Sequence, residues 1–566
     1  MKIKKGNLLI PAFLIIAMVL AGCTSKGNNE GVNYSTKTAL QGNTQAQTSS
    51  KVVWFSTVDF WNPPKTWSTD PKTVAGAITE QTGLTFEFNI PAQNGATKLN
   101  LMLVSKEDLP DVMTLTDPIL VGKLIETGKV WDLDEFLTLY DPESHILKDF
   151  PADVKEVIEA RDGGFYAYPS HINSPDARRV YQLSEQYYRD LLSFGYNQGI
   201  IVNQNILKEA GLTLDNLRTE AGLLAAYQKV KDLNLEIDGA PVIPLLVDGK
   251  AYQEYSTLSF LQDTFGAMPV DKQGNYRDVI LAQETKQALE FLYKAQRGGY
   301  FDPGQLTVDN AAVKAEIATG RVFTFIGNMA NNAYFNNDYW TSSGAILSDN
   351  GTTPVLGKSF RPDGGWMKTF ISKSTKEPEK LAKWLSFMTS KEGMLLHSFG
   401  FEGVDYTIDD QGLVVKTKQG IKNATDYMNT GVFAFWPFHH NAFIWSVSAG
   451  PTEETDRSAI TVYRASSAYS RTSGIQIYNT APLIIPGDLL PVDSDLANDE
   501  MKIKAYKESQ IAIIIMAKND EEFNKQYEEM IVQLKLLGIE AIDKEKDNYF
   551  KRKSKGYGVE VKGINS

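Results

Sequence analysis

Residues 51–115 read KVVWFSTVDFWNPPKTWSTDPKTVAGAITEQTGLTFEFNIPAQNGATKLNLMLVSKEDLPDVMTL, and the order of patterns in this stretch decides the fold. The run 52–56 is β-branched and aromatic, 72–82 spaces its apolar residues as a helix does, and 84–90 returns to a β-rich run. Residues 97–104 read as a second helix, 111–115 as a third short strand after Leu109-Pro110, and 120–128 as a further helix. A β-α-β-α-β order predicts a parallel sheet covered by helices. Ligands on such sheets bind beyond the carboxyl ends of the strands. That points to the loops 56–66, 91–96 and 116–118, and so to Asp59, Trp61 and Asp117.

Downstream, GGFYAYP at residues 163–169 reads as an extended segment, and a second α/β unit begins near residue 173. Its predicted elements are strands at 199–202, 242–247 and 322–326 and helices at 204–210, 213–231, 285–298 and 311–319, with Gly211 and Gly320 as helix stops. Residues 376–398 form an amphipathic helical stretch. Residues 519–537 form a charged helix with Phe523, Tyr527, Ile531 and Leu534 on one face. There is no internal repeat.

The whole chain of 566 residues is too long for one ordinary core. With 42% hydrophobic, 11% aromatic and 22% charged residues it is globular in composition. A net charge of −12 argues against nucleic acid or anionic lipid as the main partner. One cysteine excludes a disulfide scaffold and a cysteine-based zinc site. The five histidines lack the spacings that place two imidazoles on one helix face, so no metal chemistry is expected.

Residues 1–22 carry a basic start (Lys2, Lys4, Lys5) and an apolar run of about a dozen residues, shorter than the ~20 that span a bilayer. They read as an export signal, and Leu20-Ala21-Gly22-Cys23 is similar to a bacterial lipobox, whose cysteine is acylated and becomes the first residue. Residues 23–50 are rich in Ser, Thr, Asn, Gln and Gly and read as a flexible tether with a reach of about 25–30 Å. The folded body is then held near a membrane by the lipid alone.

Four stretches carry a resemblance: KLNLMLVSKEDLPDVMTL (98–115), GIIVNQNILKEAGL (199–212), FISKSTKEPEKLAKWLSFMTSKEGMLLHSFGFEGVDYTID (370–409) and residues 523–539. In this order and behind a lipobox, the chain resembles a family 1 extracellular solute-binding protein, the lipoprotein receptor of a carbohydrate ABC importer. It is most similar to the long subgroup that includes alginate-oligosaccharide binders. The resemblance implies an α/β, two-lobe, periplasmic-binding-protein-like (type 2) fold with a hinge and an interlobe cleft. The implied lobes are residues 51–172 plus 364–405 and residues 173–363 plus 406–566, with crossings near 168–174 and 363–366. It further implies an oligosaccharide ligand, permease subunits as partners, a monomer, and a lipid-anchored place on the outer face of the membrane. Two departures stand out. The alginate-binding relatives carry a calcium loop where this chain has KDLNLEIDGAPVIPLL. Asp232, Asn234, Glu236 and Asp238 form an every-other-residue series there rather than a wrapping loop, so a solvated turn stands beside the calcium reading. Asn203-Gln204-Asn205 replaces the charged triplet usual in the family.

Sugar rings offer apolar C–H faces and a polar rim, so their sites pair aromatic plates with planar hydrogen-bonding side chains. Trp61, beside Asp59 and Asn62, is the leading plate candidate, and Tyr168 lies at the expected crossing. Asn328 follows the strand at 322–326, and Arg361 and Trp366 lie in a Gly-rich return segment. Glu402 matches the family's Glu-Gly motif as a sugar acceptor or a buried partner. FAFWPFHH at residues 433–440, with Trp445 nearby, is read as core or site; Trp436 and His439 are its candidate ligands. Cations such as Arg178, Arg179, Arg361 or Lys368 in the cleft would favour uronates. Capture without chemistry competes with two other readings, a surface glycoside hydrolase using paired carboxylates and a peptide receptor on the same fold.

Overall fold

The computed structural model describes residues 49–566 except 93, 106–107, 249–255, 330–336, 360, 363, 488 and 492–493. The export signal, Cys23 and nearly all of the tether lie outside the described residues, as does Asp363 at the expected return.

The opening stretch folds as its pattern predicts. Strands Leu84–Asn89, Ser50–Ser56, Val112–Leu115, Lys368–Ile371 and Tyr168–Pro169 lie side by side in that order. The first three are parallel, with Trp54 opposite both Phe88 and Val112, and Lys368–Ile371 runs antiparallel to its neighbours. Successive residues of the central strand face opposite sides, so Trp54 enters one core and Phe55 the other. Helix Val74–Thr82 starts where the Thr73 side chain accepts the Gly76 N–H and stops at Gly83 in the left-handed conformation (φ 68°). Gly76 is required there, since a Cβ would lie 1.8 Å from the Asp70 carbonyl oxygen. The 376–398 stretch is two helices, Pro378–Thr389 and Lys391–Phe399, broken at Ser390, whose hydroxyl caps the second.

The second sheet has the order Trp340–Thr341, Gln198–Asn203, Val322–Asn328, Ile243–Val247. Its two central strands are antiparallel and the last pair parallel. Asn203 caps helix Gln204–Glu209 by accepting from the backbone of Asn205 and Ile206, while its amide donates to the Gly320 carbonyl. That capping role explains an asparagine at the start of the departing triplet. Helices Gln283–Arg297, Asp495–Ile515, Asp520–Leu536 and Ile539–Tyr557 complete this half. Phe523, Tyr527 and Leu534 are buried as the predicted stripe requires. The apolar run at 511–517 ends a helix whose Ile511, Ile514 and Ile515 enter the second core. No helix among the described residues is long and apolar enough to cross a membrane.

Two large cores follow from the two sheets. Ile172 and Ala177 are buried in the first core, with Tyr181 packed against it, so the chain stays with that core as far as Tyr181. Val432, Ala434, Phe435, Phe438 and Ala442 also fill the first core. Residues 432–442 thus pack with the first core, where this apolar cluster completes the space around Trp54 and Trp384. The chain leaves the first half a second time between Val447 and helix Arg457–Ala468, which packs on the second sheet. These two connections are fastened together. The Ser184 N–H donates to the Trp445 carbonyl (3.0 Å), its hydroxyl to that of Ser448 (2.6 Å), and the Tyr188 hydroxyl to that of Ala449 (3.0 Å).

Candidate functional site

Where the halves meet, a cavity of about 560 Å³ opens. Phe399, Val414, Phe433 and His439 line it from the first half, and Tyr196, Asn197, Met329 and Val462 from the second. Helix Gln186–Phe194 brings Tyr187 and Tyr188 to its wall, and helix Asn441–Val447 brings Ile444 and Trp445.

A row of rings runs from the first half into this cavity. Phe60 stacks on Trp366 (6.0 Å, 14°), Trp366 meets His171 edge-on (5.3 Å), His171 packs against His439 (4.7 Å), and His439 meets Phe433 (5.2 Å). Trp366 and Phe433 are 38% and 39% exposed, while Phe60, His171 and His439 between and beside them are half-buried. Its middle is rigidly held. His171 adopts a left-handed backbone (φ 61°) that few non-glycine residues take, fixed by its N–H donating to the His439 carbonyl and its ring bonding the Ser170 hydroxyl (2.7 Å).

The expected residues divide sharply. Trp366 and His439 share the row, and Trp436 joins through Phe433, whose carbonyl accepts its indole N–H (3.0 Å), while its ring packs on Tyr427. Asn328 precedes the wall residue Met329 without lining the cavity itself, its backbone N–H donating to the buried Asp248 carboxylate (2.7 Å). Burial pushes Asp248 up to about 7. Trp61 is not a plate. It is 0% exposed, packed edge-on against Trp54 (5.1 Å), and donates to the Ala434 carbonyl (2.9 Å). A ring with no open face cannot stack on a sugar. Tyr168 is likewise buried, between Phe150 and Phe438, and burial raises its hydroxyl far above the ordinary tyrosine value.

Asp117 is occupied as a helix cap, accepting from the Ile119 and Leu120 backbone, and Asp59 is exposed in the turn before Phe60. Glu402 is exposed in the turn leading to Tyr406, so it is no buried partner and does not line the cavity. Arg361 lies over the ring of Tyr557 (4.0 Å), on the last helix and away from the row. The other cations are engaged too. Arg178 lies over Trp445 (5.2 Å), Arg179 pairs with Asp176, and the Lys368 ammonium donates to the Trp366 carbonyl (2.9 Å). Asp232, Asn234, Glu236 and Asp238 are all exposed around a short hairpin, with Asn234 and Asp238 in left-handed turn positions. They do not converge, and among the described residues no group of three or more His, Cys, Asp or Glu could hold a metal ion.

Burial holds the histidines here neutral: His439 and His397 are pushed down to about 4 and His440 to about 3. For His440 the neutral ring is a structural need, because its Nδ1 accepts the Phe443 N–H (3.1 Å) as the cap of helix Asn441–Val447. Sequence reasoning missed Phe60, His171 and the Tyr187-Tyr188 pair. The adjacent tyrosines in an amphipathic stretch were the available signal, but helix Gln186–Phe194 went unread.

No curated protein sequence matches the chain. Solved structures do. The substrate-binding protein FusA of an S. pneumoniae ABC transporter, solved with kestose, aligns at 15% identity and a TM-score of 0.63, covering 90% of this chain and 100% of that one. A human-milk-oligosaccharide-binding solute-binding protein from Bifidobacterium longum infantis ATCC 15697 gives 15% and 0.62, covering 89% and 99%. The alginate-binding protein AlgQ2, solved without calcium ion, gives 16% and 0.59, covering 89% and 98%. At such identities these likenesses speak for the two-lobed fold. The profile of the bacterial extracellular solute-binding proteins matches residues 65–395, more than half of the sequence, and the chain belongs to that family.

Proposed function

We propose that this protein is the substrate-binding lipoprotein of an ABC importer, capturing an oligosaccharide between its lobes and passing it unaltered to membrane permease subunits. The observation that carries the reading is the ring row from Phe60 through Trp366, His171 and His439 to Phe433, running into a cavity between two separately built cores. Sugar faces stack on exposed rings of this kind. The likeness in fold to proteins solved with kestose or described as binding milk oligosaccharides supports the same ligand class.

The lobes meet at the connections near 182–185 and 449–456, and closure about them traps the ligand. Cys23 carries the lipid, and residues 23–50 tether a monomeric body to the outer face of the cell membrane. A thermal-shift screen across neutral and acidic oligosaccharides tests the central reading, followed by calorimetry and chromatography of the recovered ligand. Stabilisation with the sugar recovered intact is expected; turnover, or no response to any sugar, rejects it. Metabolic labelling with palmitate checks the anchor: label is expected in the wild type and absent from Cys23→Ser.

A further inference from the structure

The ring row and the cavity it enters differ in chemistry. The row offers open aromatic faces, whereas much of the cavity wall is aliphatic: Leu191, Met329, Val414, Ile444, Pro451 and Val462. Most hydroxyls of that wall are already committed to each other or to the backbone, while the Asn197 and Asn441 amides line it as well. The Tyr187 hydroxyl donates to the Ala459 carbonyl (3.3 Å) and the Tyr188 hydroxyl to that of Ala449 (3.0 Å). The Ser448 hydroxyl donates to the Ile444 carbonyl (2.7 Å), and the Tyr196 hydroxyl bonds Gln198 and Asp263. Lys416 faces Asp456 at 3.7 Å.

A bare sugar ring carries hydroxyls around its whole edge, and each one pressed against such a wall gives up a hydrogen bond to water without a replacement. The matching occupant is an apolar group attached to a sugar. We propose that the natural ligand is an oligosaccharide bearing an aromatic substituent. Its sugar rings lie along the Phe60–Trp366–His171–His439–Phe433 row, and its substituent packs on the aliphatic wall of the cavity, with the sugar that carries it at the cavity's mouth. This rests on the oligosaccharide reading above and adds the class of ligand within it. A cavity of about 560 Å³ has room for an aryl group together with the sugar that carries it.

The test pairs neutral gluco-, galacto-, xylo- and manno-configured disaccharides with their phenyl glycosides, by thermal shift and then calorimetry on the full chain. For the best-binding disaccharide, the phenyl glycoside is expected to bind at least ~10-fold tighter, the scale of burying one aromatic ring. In Ile444→Asn, and in Val462→Asn as a second variant, that ratio is expected to fall to within ~3-fold, since each introduces an amide against the ring. Equal or weaker binding of the phenyl glycosides by the wild type overturns the inference and leaves the oligosaccharide reading standing. Binding of neither series overturns both.

Discussion

Replacing Trp61 with alanine separates the two roles a loop tryptophan can fill. The ring is 0% exposed, meets Trp54 at 5.1 Å and Phe88 at 5.7 Å, and its Nε1–H donates to the Ala434 carbonyl at 2.9 Å. Emptying a buried aromatic site costs about 3–5 kcal/mol, and the orphaned buried carbonyl adds ~1–3 kcal/mol. A loss of roughly 4–8 kcal/mol in the first lobe corresponds to a Tm drop of about 8–30 °C for a unit of roughly 150–250 residues. Scanning calorimetry of the wild type, Trp61→Ala and Trp61→Phe measures it, with the phenylalanine variant expected in between because it refills most of the cavity. Oligosaccharide affinity, measured well below the transition, is expected to change far less than stability. A Tm within ~3 °C of wild type combined with a tenfold or greater loss of affinity would refute the reasoning and make Trp61 a ligand plate.

Four further outcomes follow from the same geometry. Trp366→Ala removes a ring that is 38% exposed, so oligosaccharide Kd should rise about 5- to 150-fold, for a loss of ~1–3 kcal/mol, while the Tm stays nearly constant. Acid should destabilise the first lobe. His397 and His440, 2% and 5% exposed, titrate at about 4 and about 3 when folded, below the ordinary value of about 6.5. The unfolded chain therefore takes up protons first. Stability present above pH 6.5 is lost as pH falls, by about 2 kcal/mol per histidine between pH 7.5 and pH 5, and urea titrations at the two pH values read it. His440→Asn keeps an acceptor at the helix cap without titrating and should flatten that slope. Asp117→Ala deletes a helix cap, so about 1 kcal/mol of stability should go while ligand affinity holds. Calcium or a chelator should leave the Tm unchanged, because Asp232, Glu236 and Asp238 are exposed and do not converge; a calcium-dependent rise would restore the metal reading.

Much of the architecture was legible because its elements advertise themselves locally. The strand runs at 52–56, 84–90 and 111–115 and the stripe of Phe523, Tyr527 and Leu534 each fall within one or two residues of the observed elements. The site was less legible, because aromatic side chains serve cores and sugar clefts alike. Trp61 sits beside polar neighbours in a loop, yet its hydrogen-bond partner lies 373 residues away, a distance no local pattern reports. The cluster at 433–440 divides residue by residue: Phe435 and Phe438 are buried while Phe433 faces the cavity. That split depends on the return of residues 432–442 to the first core. Asp117 and Asn203 were visible as polar residues at element ends, and capping is the commonest use of that position.

The grip of Ser184 on the Trp445 and Ser448 carbonyls, with Tyr188 holding Ala449, joins two of the polypeptide's connections between lobes into a single pivot. Three hydrogen bonds at one place mean that neither segment can shift without carrying the other, so the two connections share a single mechanical fate.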